Sequence, residues 1–174
     1  MKCHPPRAQG FTLIELLVVI ALISILASLA APDFRRSIAQ RKVSEVASDL
    51  MISTLQARSA AITNNQQAIV QPLVTTDWSR GWRIYVDVDK DKAYTAGTDT
   101  LISTVSAKAG NVTTNEVSPS TLTLIGFNST GYLLESTAGR VVFSSTAIPS
   151  NQYNKGIVFS RTGRVRICET NPSK

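Results

Sequence analysis

Near the C-terminus the stretch GIVFSRTGRVRIC brings Arg161, Arg164 and Arg166 within six positions, with no acid until Glu169. A guanidinium is a rigid planar fork of donors that matches phosphate oxygens, and three so close together suit the densely spaced phosphates of nucleic acid. Register decides whether they act together. A two-residue turn at Thr162-Gly163 would pair Phe159 with Arg166 and put both on one face. A three-residue loop, Arg161–Gly163, pairs Ser160 with Arg164 and Phe159 with Val165. Ile157, Phe159, Val165 and Ile167 then share one face, and Ser160, Arg164 and Arg166 the other. This second register is the one expected, and it puts Gly163 at the left-handed position that closes such loops. Amides near Gly163 would add donors, and Lys155 and Arg140 are weaker candidates that depend on where their strands lie. With few aromatic residues and no base-reading helix, backbone binding without sequence preference is expected. The same arginines suit equally an exposed edge strand whose charges prevent sheet-to-sheet aggregation.

Two other constellations invite chemistry. Glu15 stands in GFTLIELLVVIALISILASLAAP, where Phe11–Ala31 carries no other charge. A charge inside a bilayer costs roughly 2.5–3.5 kcal/mol on the mildest scale, so such a residue ordinarily has a partner or a function. Asp87, Asp89 and Asp91 form a D-x-D-x-D run. An EF-hand loop would need Gly where Lys92 stands and a bidentate Glu where Thr98 stands, so a polar hairpin loop without metal is the expectation. Asn111-Val112-Thr113 and Asn128-Ser129-Thr130 match the glycosylation pattern at chance level.

Other chemistry is excluded by what the chain lacks. Its one histidine, His4, and one of its two cysteines, Cys3, lie in the first ten residues, leaving only Cys168 beyond. A Ser–His or Cys–His nucleophile and imidazole metal sites are therefore not available to the remainder, and no P-loop glycine pattern occurs. An enzyme is not expected, nor a cofactor. The net charge is +6, and the segment from Arg140 to Lys174 has six bases against Glu169 alone. That asymmetry points to an anionic partner at the C-terminal end.

These groups need elements to hold them. Phe11–Ala31 has the length of a membrane-crossing helix, and Lys2 and Arg7 ahead of it keep residues 1–10 on the cytoplasmic side. An ordinary secretory signal, cleaved near Ala27–Ala31, is the alternative. Beyond Pro32, apolar residues at Ile38, Val43, Val46, Leu50, Met51, Leu55 and Ile62 recur at helical spacing until Asn64-Asn65. One spine helix from Phe11 to Thr63 is predicted, with a bend near Pro32. From Gln67 onward the runs are short and β-prone: 68–75, 81–88, 101–105, 122–127, 141–144, 157–160 and 164–168. One helix followed only by strands predicts an α+β fold with antiparallel sheet. The expected organisation is 1–10 as a leader, 11–31 as a membrane segment, 32–65 as the amphipathic helix and 66–174 as the β-rich domain.

Gly10-Phe11-Thr12-Leu13-Ile14-Glu15, followed by Pro32, resembles the N-terminus of a type IV pilin or pseudopilin. The resemblance implies cleavage by a prepilin peptidase between Gly10 and Phe11, N-methylation of Phe11, and a filament-assembly role for Glu15 in neutralising a neighbour's terminal amine. DWSRGWRIYVDVDKDKAYTAGTDTLI, LIGFNSTGYL and GIVFSRTGRVRI resemble successive blocks of the GspH/FimT group of minor pseudopilins. Gly163-Arg164-Val165-Arg166 matches the Gly-Arg-x-Arg pattern of its members associated with DNA uptake. The resemblance implies a pilin-like fold, anchorage in the inner membrane with the C-terminal domain in the periplasm, other pilins as partners, and DNA capture during transformation. Members serving type II secretion, which act as structural subunits of a pseudopilus, remain the alternative.

Overall fold

The computed structural model describes residues 11–108, 111–134, 138–148 and 153–170, with side chains placed except at 28–33 and 170. The chain divides into two compact units, Met1–Arg36 and Ser37–Lys174. Helix α1, Leu13–Asn64, contributes to both. Eight strands follow: β1 Gln67–Val74, β2 Asp77–Asp87, β3 Thr100–Ser106, β4 Val112–Ser118, β5 Ile125–Phe127, β6 Gly139–Ser145, β7 Asn154–Phe159 and β8 Val165–Thr170. They form two four-stranded sheets, ordered β3-β2-β1-β5 and β4-β6-β7-β8. Every strand pair is antiparallel. The α+β architecture with antiparallel sheet expected from the sequence is the one found.

In the first unit α1 opens with a capping box. The Thr12 amide and Oγ1 donate to Glu15 Oε2 at 2.9 and 2.8 Å, and the Glu15 amide donates back to Thr12 Oγ1. Two orphan amides of the first turn are thereby satisfied. Glu15, expected to await a partner from another subunit, thus already has a local one. Pro32 lies inside the helix rather than ending it. Every described side chain from Phe11 to Ala27 is exposed. Among the described residues no helix is long and apolar enough to cross a membrane.

In the second unit the helix buries a stripe of mostly small residues: Ala39, Val43, Val46, Ala47, Leu50, Ser53, Thr54, Ala57 and Ala61. The spacing is helical as expected, but Ile38, Leu55 and Ile62 are exposed. Alanine lets the backbone approach the sheets closely, so the bulk comes from the strands. Trp78, Trp82, Ile84, Phe127, Val141, Phe143, Ile157 and Phe159 pack with that stripe into one core drawn from both sheets. Trp82 Nε1 donates to Ser53 Oγ at 2.8 Å, satisfying a donor inside the core. Truncating an aromatic such as Phe159 to alanine would cost about 3–5 kcal/mol.

Strand β4 has no counterpart among the runs read from sequence. Only Val112 and Val117 are apolar in VTTNEVS, because it is an edge strand with a solvent-facing side. The expected 122–127 run pairs only over Ile125–Phe127. Pro72 is tolerated in β1 because β5 covers only Ala68–Val70, and Pro72 itself sits at an irregularity in the pairing with β2.

Candidate nucleic-acid interface

Strands β7 and β8 form the C-terminal hairpin in the three-residue-loop register. Phe159 pairs with Val165, Val158 with Arg166 and Ile157 with Ile167. The Ser160 amide donates to Arg164 O, and the Gly163 amide to Ser160 O, both at 2.9 Å. Gly163 has φ +76°, the left-handed value that the loop requires. Ile157 and Phe159 are buried, while Arg161, Arg164 and Arg166 are exposed. The alternation of two β-strands thus separates an apolar inner face from an arginine-bearing outer one.

The loop rests on two supports. Arg58, on α1, donates from Nε to Gly131 O at 3.0 Å and from Nη2 to Thr162 O at 3.4 Å. The Leu133 amide donates to Arg161 O at 3.1 Å. The turn that supplies Gly131 and Leu133 is itself built on Asn128, whose Oδ1 accepts from the amides of Thr130 and Tyr132. Arg58 was not anticipated from sequence. It engages carbonyls rather than carboxylates, so its charge adds to those of the hairpin arginines. A charge inserted beside buried Ala57 and Ala61 was the available signal.

The other expected contributors divide. Arg140 pairs in register with Val158, as does Arg166, so both stand on the same sheet face with β7 between them. Arg140 is bound to Glu116 through Nε and Nη2. Lys155 lies three residues from Val158, on the opposite face, and forms an ion pair with Glu169 at 3.0 Å. The structure therefore does not bring Lys155 together with the arginines. Gly163 is also reassigned: it is buried and its amide is spent inside the loop, so it shapes the site without offering a donor. Among the described residues Arg161, Arg164 and Arg166 have no acidic partner within ion-pair distance. Cys168, a free thiol on β8, is pushed up by burial, against the lowering influence of the Arg140 and Arg166 charges.

The acidic loop between β2 and β3 is folded around its own carboxylates. Asp99 Oδ1 accepts from the Val88 amide at 3.0 Å and Oδ2 from the Thr95 amide at 2.7 Å. Asp87 Oδ2 accepts from the Lys92 amide at 3.2 Å. Burial pushes the Asp87 carboxyl up, opposed by the Lys92 and Lys90 amides and reinforced by the charges of Asp99 and Asp89. Gly10, the expected cleavage site, lies outside the described residues; Phe11 is exposed.

Comparison with known proteins bears on both parts of the chain. Residues 46–163 match the family described as Type II transport protein GspH, and residues 5–31 match the Prokaryotic N-terminal methylation motif. The chain is 51% identical over 45 residues to the Type IV major pilin protein PilA of Myxococcus xanthus, covering 26% of this chain and 20% of that protein. It is 47% identical over 55 residues to the Type IV major fimbrial protein FimA of Dichelobacter nodosus, covering 32% and 33%. The chain thus spans about a fifth to a third of the length of these curated relatives. In fold it is similar to the type IV minor pilin FimU of Pseudomonas aeruginosa, with TM-score 0.59 at 18% identity over 72% of this chain and 91% of that one. It is also similar to the minor pseudopilin EpsH from the Type 2 Secretion System of Vibrio cholerae, with TM-score 0.50 at 14% identity over 76% and 98%.

Proposed function

The chain belongs to the GspH family of type II transport proteins, and from that premise we propose that it is a minor pseudopilin of a type IV pilus system whose C-terminal hairpin captures DNA for uptake. The observation that carries this reading is a contrast in charge pairing. Arg140 and Lys155 are each bound to a glutamate, whereas Arg161, Arg164 and Arg166 meet no acid among the described residues. A cluster of guanidiniums held on a rigid loop and left without counter-charge attracts phosphates and releases their counterions. Arg58 reinforces it from below. Aromatic residues are sparse in the sequence, so the contact is to the backbone and without sequence preference.

The remaining parts follow from the same reading. Phe11–Ala31 inserts in the inner membrane, supported by its apolar sequence and by the exposed side chains from Phe11 to Ala27, of which Phe11 is 86% accessible. The second unit then lies in the periplasm. Prepilin peptidase removes residues 1–10, and Phe11 is methylated. The capping bonds of Glu15 fall on Oε2, and Oε1 is the oxygen that meets a neighbouring subunit's amine. Such a subunit is structural and has no catalytic role.

A second reading, a structural subunit of a type II secretion pseudopilus, is favoured by the family description itself. Titration of the fragment from Ser37 onward with labelled duplex DNA at several salt concentrations tests between them. All the residues of its core lie within that fragment. Salt-sensitive binding, lost in the folded Arg164→Gln/Arg166→Gln variant, is the result expected. Absence of binding at low salt by the folded wild type moves the secretion reading ahead.

A further inference from the structure

The end of β2 and the loop that joins it to β3 gather carboxylates that the hairpin does not use. Asp87, Asp89 and Asp99 each present an oxygen, and these oxygens all lie within 4.8 Å of one another. Asp87 is fully buried, yet its Oδ1 has no hydrogen-bond partner. Tyr85, two residues earlier on the same face of β2, is likewise fully buried with an unpartnered hydroxyl. The charges of Asp87, Asp99 and Asp91 all act on that phenol. A buried polar atom without a partner is costly, and here two of them occur beside a knot of negative charge.

We propose that Asp87, Asp89 and Asp99 hold a calcium ion. The donors are all oxygens, which suits a hard divalent cation. Their mutual spacing falls inside the roughly 5 Å that separates opposite ligands around calcium, whose bonds are about 2.3–2.6 Å. Magnesium, at about 2.0–2.1 Å, spans less. The ion takes Asp87 Oδ1 as a ligand, and a water on the ion donates to the Tyr85 phenol oxygen. Both buried orphans are then satisfied. The site is not an EF-hand: Asp99 stands one position beyond the place of that motif's final glutamate, and Asp91 turns away to accept from the Ala93 amide at 2.7 Å. Bound calcium ties the start of the loop to its end, since Asp87 closes β2 and Asp99 immediately precedes β3.

Terbium provides the test, because Tyr85 stands two residues before Asp87 on β2 and Tyr94 packs on it with ring centroids 5.4 Å apart. The full chain in non-ionic detergent, stripped with chelator, is titrated with Tb³⁺ under tyrosine excitation and then with Ca²⁺ or Mg²⁺. Sensitised emission that Ca²⁺ displaces at lower concentration than Mg²⁺ is expected, together with a higher melting temperature in Ca²⁺ than in chelator. Asp89→Asn should weaken binding about tenfold or more, and Asp91→Asn should leave it near wild type, both with unchanged circular dichroism. Asp89 is exposed and the bond it accepts from the Asp91 amide is long, 3.4 Å, so its replacement spares the fold. No sensitised emission, equal effects of the two variants, or no calcium-dependent melting shift would each overturn the site. In that event Asp87 Oδ1 is satisfied by a proton or a water.

Discussion

Arg140 and Arg166 stand in one row across the second sheet, each paired in register with Val158 of the strand between them. Only Arg140 is bound to a carboxylate, that of Glu116. Their shared face and unequal pairing make them a matched comparison. Replacing Arg166 with Gln should lower DNA affinity and reduce the log–log salt slope by about one unit, as for one lost phosphate contact. Arg140→Gln should alter the slope little. Glu116→Gln, which releases Arg140, should strengthen binding at low salt. Fluorescence anisotropy across a salt series reads all three.

Gly163 is where the hairpin loop meets Gly131 and Arg58. A Cβ there would lie 2.1 Å from Gly131 O and 3.0 Å from Arg58 Nε, at a φ of +76° that alanine rarely adopts. Gly163→Ala should destabilise the domain by about 1–3 kcal/mol. Urea unfolding measures that loss. DNA affinity should fall with it, since the loop must shift away from Arg58.

Ser53 and Trp82 join helix to sheet inside the core. Ser53→Ala leaves the indole N–H buried without an acceptor, at a cost of about 1–3 kcal/mol. Ser53→Thr retains the oxygen and should cost less. Denaturant midpoints at equal m-values distinguish the two.

Asp77 links the sheets across β2 and β4. Its Oδ1 accepts from Thr114 Oγ1 at 3.0 Å and from Ser79 Oγ at 2.6 Å. Burial pushes this carboxyl up, but the bonds from Ser79, Thr114 and Arg80 outweigh it and hold it below the ordinary value of 3.8. The folded state therefore binds the proton less readily than the unfolded one. The stabilisation is present above pH 3.8 and is lost as pH falls through the depressed folded value. The stability gap between wild type and Asp77→Asn should narrow over that acid range, measured by thermal unfolding at successive pH values.

Legibility in the sequence followed the strength of local pattern. The helix was expected at Phe11–Thr63 and occurs at Leu13–Asn64, because uninterrupted helical periodicity is a long signal. The hairpin register was readable because a one-residue slip would have put Arg166 into the core. Strand β4 was not, since an edge strand of Ser, Thr and Asn carries little apolar alternation. Of the large residues expected on the helix's inner face, Val43, Val46 and Leu50 are buried, but Ile38, Leu55 and Ile62 are exposed and alanines share the stripe, for a related reason: how closely two sheets approach a helix is a property of their packing, not of the helix's own sequence.

By itself the sequence determined the α+β class, the apolar N-terminal helix, and an arginine hairpin with one apolar and one basic face. Each of these depends on neighbours within a few residues, where the periods of helix and strand act directly. Tertiary structure alone decided which charges are neutralised and which are not. Glu116 is 24 residues from Arg140, and Arg58 is 73 residues from Gly131. Pairings across such distances depend on sheet order and on how the helix lies against it, and neither leaves a local trace.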